Sequence, residues 1–339
     1  MLKTRLCELL GIEHPIVSAG MGGVAAADLA AAVSEAGGLG TLGLAAFGRE
    51  GIQTEISAAR AKTQKPLAAN LLVPFLRPGT VEQVLQMPLQ VLTFFWGDPN
   101  DHAAAIRAAH DASIKVIWQC GSAEEAQRAK NAGVDIVMAQ GFEAGGHVRG
   151  TTTTIALIPA VRDAIGDLPL IASGGIADGR GLAAALALGA DGAAIGTRFL
   201  ASTEAAAHPA YKDRVLAAKG DDTFHTTLYD IGWPEAAHRV IRTKLVERWE
   251  AAGRPVSGSR PGEGDVVVRS NRTEVELPPV NYSVAPPLDC LEGDVEGLAF
   301  YAGQSCSLVR EILPAAEIVR RIVAEAEAVI GERLASFVR

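Results

Sequence analysis

Short apolar runs of strand length alternate along the chain with Ala-rich segments whose apolar positions recur at helical spacing. Eight runs read as strands: 16–21, 39–44, 66–72, 91–97, 115–120, 135–141, 169–175 and 192–199. The segments 24–36, 49–63, 80–86, 101–111, 123–132, 155–165 and 179–188 predict the helices between them. A helix between consecutive strands returns the chain to its starting edge, so the strands pair in parallel. Several helices stop at AGG, NAGV or LGAD, where a glycine just past the last turn takes the left-handed C-cap conformation. An open doubly wound sheet would also alternate in this way. Eight βα units in series, with no long antiparallel interruption, favour closure into an α/β TIM (β/α)8 barrel.

The pattern changes after Phe199. Residues 211–219 read as a helix, and 221–310 are richer in Pro, Gly and charge, with helical character around 235–250. The stretch 254–287, containing GSRPGEGD and ELPPVNYSVAPP, is too polar and proline-broken for a core strand layer and predicts an ordered loop excursion. A final helix over 315–337, apolar at Ile318, Ile322, Val329, Ile330 and Leu334, can pack back on the barrel. The expected organisation is a barrel of 1–200 and 311–339, with 201–310 inserted as a mostly helical and loop subdomain or lid over the substrate pocket.

With 339 residues, 48% hydrophobic and 21% charged, the chain has the balance of a globular protein with a large core. A formal charge of −8 argues against nucleic-acid or anionic-membrane partners, since phosphates are bound there mainly by Lys and Arg. A phosphate ligand would have to be held by backbone amides. The cysteines, Cys7, Cys120, Cys290 and Cys306, form no CxxC pair, so neither a zinc site nor a disulfide framework is indicated. The opening residues carry scattered charge and no apolar signal region, and no stretch is long and apolar enough for a membrane span. A soluble cytoplasmic protein is the expectation.

The strongest chemical signal is the end of the pattern: IASGGIADGRG at 171–181 after strand seven, and AIGTRFL at 194–200 ending strand eight. In barrels these two loops commonly cradle a phosphate with backbone amides and a helix N-terminus. Gly174 and Gly175 let main chain approach an anion, and Gly196 and Thr197 offer amides and a hydroxyl. The run QGFEAGGHVRG at 140–150 leaves strand six and delays the next helix. Its glycines let backbone lie against a flat ligand, Gln140 and Glu143 can hydrogen-bond, and His147 can exchange a proton near neutral pH. His14, His102, His110, His208, His225 and His238 have no such setting and read as structural or surface residues. SAGMGG at 18–23 and Asn70, at the ends of strands one and three, point to the same mouth. The run from Gly38 to Gly43 fits GxGxxG, but it follows a helix and reads as strand two, so it is no dinucleotide fingerprint.

The segments LCELLGIEHPIVSAGMGG, AGGLGTLG, QGFEAGGHVRG, ASGGIADGRG and IGTRFLAS together resemble the nitronate monooxygenases, formerly 2-nitropropane dioxygenases, over the whole chain in order. The resemblance is most specific at the His147 loop. It implies FMN bound without covalent attachment, its phosphate on Gly174, Gly175, Gly196 and Thr197. The ring system would lie against Ala19, Gly20, Met21, Asn70, Gln140 and Gly145, with Gln119, Gly146 and Ser173 completing the cofactor positions. It implies oxidation of propionate-3-nitronate or alkyl nitronates by O2 to a carbonyl compound and nitrite. His147 would orient the anion as a partly protonated imidazole and take the carbon-bound proton of a neutral nitroalkane. The partners implied are the nitronate and O2; an acidic barrel of this kind often dimerises, yet no residue marks an interface. Relatives that use NADH often carry Lys where this chain has Gln119. The family name also covers NADH:quinone reductases and lies near FMN-dependent enoyl reductases, so these activities stand as alternatives, as does a barrel that binds a phosphorylated ligand without catalysis. Trp233, Tyr282 and Tyr301 suit either pocket walls or core.

Overall fold

In the computed structural model of the chain, residues 2–338 are described. Eight parallel strands form one sheet: β1 (Ile16–Ser18), β2 (Gly40–Gly43), β3 (Leu67–Leu72), β4 (Val91–Phe95), β5 (Lys115–Cys120), β6 (Ile136–Gln140), β7 (Leu170–Ser173) and β8 (Gly192–Ile195). Their order around the sheet is β1-β8-β7-β6-β5-β4-β3-β2. The ring is completed by a parallel bridge between Val17 and Leu39, where the Ser18 amide donates to the Leu39 carbonyl at 3.0 Å and the Leu39 amide to the Ile16 carbonyl at 2.8 Å. The fold is a (β/α)8 barrel.

Alternation along these strands explains where the site sits. Side chains two residues apart share a strand face. Val17, Leu39, Ala68, Val91, Ile117, Ile136, Ile171 and Ala194 form one buried cluster inside the barrel, plugged at the strand starts by Leu6, Cys7 and Leu10 of the helix Arg5–Leu10. Further along the same faces come Ala19, Thr41, Asn70, Thr93, Gln119, Gln140, Ser173 and Gly196, mostly polar, and all eight line one cavity at the C-terminal ends of the strands. The lower barrel is thus a dry core and the upper barrel a polar floor.

Helices α1 (Ala27–Glu35), α2 (Arg49–Lys62), α3 (Thr80–Leu85), α4 (Ala103–Asp111), α5 (Ala123–Asn131), α6 (Thr154–Ile165) and α7 (Gly179–Ala187) cover the outside. The eighth place, between α7 and α1, is filled by α8 (Ala315–Ala328). A side chain at Gly179 would meet the Ala326 amide nitrogen at 2.4 Å, so glycine is what lets α7 and α8 touch. The chain leaves and rejoins the barrel at one point, where Ser202 and Leu313 form a parallel bridge. Among the described residues, no helix is long and apolar enough to cross a membrane.

Several boundaries differ from expectation. Strands β1, β7 and β8 stop short of residues 21, 175 and 199 because glycine turns intervene: the Met21 amide folds back on the Ala19 carbonyl at 2.9 Å, and Gly174 and Gly175 take φ of +99° and +75°. Thr197–Leu200 is a helical turn rather than strand. The helix expected over 235–250 is instead a strand, His238–Ile241, followed by a helix, Lys244–Ala251. That strand lies antiparallel between Thr223–Thr226 and the two-residue strand Gly146–His147, a long-range pairing that overrides local helical spacing. The helix expected at 211–219 runs Pro209–Ala217. The 254–287 excursion carries one short strand, Val268–Ser270, paired with Leu291–Gly293. The final helix ends at Ala328 and continues as a wider turn over Val329–Leu334 and a tight turn over Ala335–Phe337; Val329 and Ile330 still pack on the core, whereas Leu334 and Phe337 face solvent.

Candidate active site

The proposed base and the thirteen proposed cofactor positions all line one cavity: Ala19, Gly20, Met21, Asn70, Gln119, Gln140, Gly145, Gly146, His147, Ser173, Gly174, Gly175, Gly196 and Thr197. At one end, the amides of Gly174, Gly175, Gly196 and Thr197 donate to no protein acceptor among the described residues, as an anion cradle requires. The Thr197 hydroxyl oxygen already accepts the Gly303 amide at 3.0 Å, so the free function of this side chain is its proton. Gly145 packs so closely on Ala302 and Gly303 that a side chain would meet the Gly303 nitrogen at 2.3 Å, bringing bare backbone to the wall.

The floor is short of partners. Thr41 Oγ1, Gln140 Oε1 and His147 Nε2 are buried without a hydrogen bond, although buried polar atoms are nearly always paired. Gln140 is oriented by its amide, which donates to the His147 carbonyl at 3.0 Å. Among the described residues, no Lys, Arg, Asp or Glu lines the cavity. Orphaned polar atoms around an uncharged floor, beside free amides, fit a flat heteroaromatic ring system with an attached phosphate.

His147 follows Gly146, whose φ of +76° turns the loop into the mouth. Its ring is walled by Trp233 at 4.1 Å between centroids, His238 at 5.3 Å, Tyr301 at 5.4 Å and Trp96 at 6.0 Å. Burial among these rings, with a smaller contribution from His238, holds the imidazole well below its ordinary range. That direction favours the neutral imidazole over the partly protonated ring expected from the sequence, and Nε2 has no hydrogen-bond partner among the described residues. His238 is structural, as its sequence setting suggested. Its Nδ1 faces the Ala236 carbonyl at 2.8 Å and its Nε2 the Tyr229 amide at 3.3 Å, which fixes a neutral tautomer with the proton on Nδ1.

Trp233 and Tyr301 line the cavity, whereas Tyr282 is buried core whose hydroxyl donates to the Pro261 carbonyl at 3.1 Å. Glu143 serves the fold: its carboxylate accepts the Thr154 amide at the start of α6 at 3.0 Å. The GxGxxG look-alike is β2 itself, where a side chain on Gly40 would strike the Ala30 carbonyl. Sequence reasoning missed Thr41 and Thr93, both legible two residues beyond Leu39 and Val91. It also missed Phe75 in the cavity wall and Trp96, whose φ of +69° is unusual for a bulky side chain and lies in the turn leaving β4.

The profile of the nitronate monooxygenase family matches residues 3–79 and 77–325. The chain belongs to the nitronate monooxygenase family. It is therefore an enzyme, an oxidoreductase of a flavin-dependent family, which sets aside a barrel that only binds a phosphorylated ligand. Over 256 residues it is 41% identical to (3aS,4S,5R,7aS)-5-hydroxy-7a-methyl-1-oxo-octahydro-1H-indene-4-carboxyl-CoA dehydrogenase of Mycobacterium tuberculosis, covering 75% of this chain and 70% of that one. FabK from Thermotoga maritima superposes with a TM-score of 0.80 at 35% identity, covering 100% of both chains. Nitroalkane oxidase from Streptomyces ansochromogenes superposes with a TM-score of 0.76 at 29% identity, covering 96% of this chain and 99% of that one.

Proposed function

We propose that this nitronate monooxygenase family member binds FMN in the cavity and oxidises alkyl nitronates, propionate-3-nitronate or the parent nitroalkanes with O2, giving a carbonyl compound and nitrite. The observation that carries this reading is His147, which lines the cavity with its Nε2 buried and unpartnered among the described residues. The amides of Gly174, Gly175, Gly196 and Thr197 would hold the phosphate. Ala19, Gly20, Met21, Asn70, Gln119, Gln140, Gly145, Gly146 and Ser173 would surround the ring system. FMN supplies the electron acceptor when bound. His147 Nε2 takes the carbon-bound proton of a neutral substrate, and Trp233, Tyr301 and Phe75 exclude water from that step. The inserted segment 201–310 forms the substrate wall in this reading, because Trp233 and Tyr301 belong to it. Only the substrate and O2 are needed as partners, in the cytoplasm, without nucleic acid or a membrane.

The test is nitrite release from nitroethane and from propionate-3-nitronate in air, without NADH. Absence of nitrite above background with both would remove the nitronate reading.

A second reading is favoured by the uncharged inner wall, which offers an anion no counter-charge, together with the 41% identity to a carboxyl-CoA dehydrogenase. Here the group that enters the inner cavity is the neutral acyl thioester end of the substrate, and His147 handles the proton next to its carbonyl. Anaerobic bleaching of the flavin by an acyl-CoA panel would support it. Rapid anaerobic bleaching by NADH would instead indicate the reductase alternative.

A further inference from the structure

A second chamber lies beside the active cavity. The two share Ala45, Leu72, Phe75, Leu277 and Val284 as common wall, and the Phe75 ring stands edge-on to Trp233 with centroids 5.1 Å apart and planes at 89°. The chambers differ in charge. Among the described residues the inner one is lined by no Lys, Arg, Asp or Glu, whereas the outer one is bordered by Arg49, Arg77 and Glu276. Arg77 pairs with Glu276 at 2.5 Å. The Arg49 guanidinium has no carboxylate partner among the described residues and stands exposed at the start of α2. A ligand that reaches from one chamber into the other therefore meets an uncharged, aromatic reacting end and a remote end with net positive charge.

We propose that the outer chamber seats the phosphate-bearing arm of a coenzyme A thioester, held by Arg49 and Arg77, while the acyl end reaches His147 past Phe75. This rests on the thioester reading above. A small nitroalkane would fill only the inner cavity and would gain nothing from the arginines. A phosphorylated arm gains two guanidinium donors suited to phosphate, with Glu276 released from or sharing Arg77.

The test is calorimetric titration of the FMN-loaded enzyme with coenzyme A and with pantetheine, which lacks the phosphates. Arg49→Ala and Arg77→Ala are the variants, with melting temperature and flavin content as controls. Arg49 is exposed and has no carboxylate partner among the described residues, so Arg49→Ala is expected to keep the parent melting temperature. Arg49→Glu is a second variant that reverses the charge at the same place. Each alanine variant is expected to weaken coenzyme A about tenfold, the loss of one charge-assisted contact, and to leave pantetheine within about twofold. Added salt should weaken coenzyme A in the parent enzyme more than in the double variant. Unchanged coenzyme A affinity in all variants overturns the arginine site while the thioester reading stands. If the parent enzyme binds no coenzyme A and no acyl-CoA bleaches its flavin, the site and the thioester reading both fall.

Discussion

His147 lies 4.1 Å from Trp233, ring centroid to ring centroid, with the planes tilted by 30°. The indole comes from the segment between β8 and α8 and the imidazole from the loop after β6, so two stretches distant in sequence form this contact. His147→Asn removes the base and keeps a polar side chain of similar size. Turnover of a neutral nitroalkane should fall by roughly 10²- to 10⁴-fold, the usual share of general base catalysis. The loss with the preformed nitronate anion, whose proton is already gone, should be much smaller. Flavin content should not change; a variant that loses FMN would make His147 a cofactor residue instead.

The aromatic wall also sets the pH dependence. Burial holds the folded His147 well below the ordinary imidazole range, so the neutral base persists through neutral pH into the acid range. The acid limb of kcat/KM for nitroethane should therefore lie well below pH 6.5. Trp233→Leu admits water to the ring, and the limb should move up toward pH 6.5 with flavin still bound. An acid limb that stays in place would show that Trp233 does not desolvate the base.

Much of this was legible in the sequence, for identifiable reasons. Barrel strands announce themselves as apolar runs separated by one helix each, and the amides without protein acceptors lie where the sequence placed its turns, at Gly174 and Gly175 after β7 and at Gly196 and Thr197 after β8. Period-two alternation carries on past Leu39 and Val91 to Thr41 and Thr93, although only structure prompted that reading. The wall around His147 was not legible. Trp96, Trp233, His238 and Tyr301 come from separate segments, and the antiparallel pairing of His238 with His147 has no local pattern. The same blind spot produced the helical reading across His238–Ile241 and the expectation of a partly protonated His147, because strand pairing and desolvation are properties of the assembled site.

Gly196 and Gly174 separate cofactor binding from backbone tolerance. At Gly196, φ is −103° and a β-carbon would meet only the Ala19 β-carbon at 3.5 Å and the Met21 sulfur at 3.8 Å, ordinary contacts on the cavity side. Gly196→Ala should fold with an unchanged melting temperature yet lose most of its FMN, because the methyl occupies space beside the cradle. At Gly174, φ is +99° and the Gly141 carbonyl lies 3.0 Å from any β-carbon. Gly174→Ala should therefore cost roughly 1–3 kcal/mol of stability as well. Flavin-to-protein ratio and thermal unfolding decide the matter: full FMN content in Gly196→Ala would place the phosphate elsewhere.

His238 predicts how stability responds to acid. Its ring is fully buried, both nitrogens are engaged, and burial pushes its pKa down to about 4, against about 6.5 for an exposed imidazole. Above pH 6.5 the residue is neutral in folded and unfolded chains alike and adds no pH dependence. Between pH 6.5 and about 4 the unfolded chain binds the proton and the folded chain does not, so stability falls as pH falls. The full displacement corresponds to about 3 kcal/mol, and His147 and His225, also lowered by burial, act in the same direction. Chemical denaturation at pH 8, 6.5 and 5 should show little change across the first interval and a clear loss across the second. His238→Asn should be less stable at pH 8, having lost a packed and hydrogen-bonded ring, but should lose less on acidification. An equal acid slope in that variant would assign the loss to other groups.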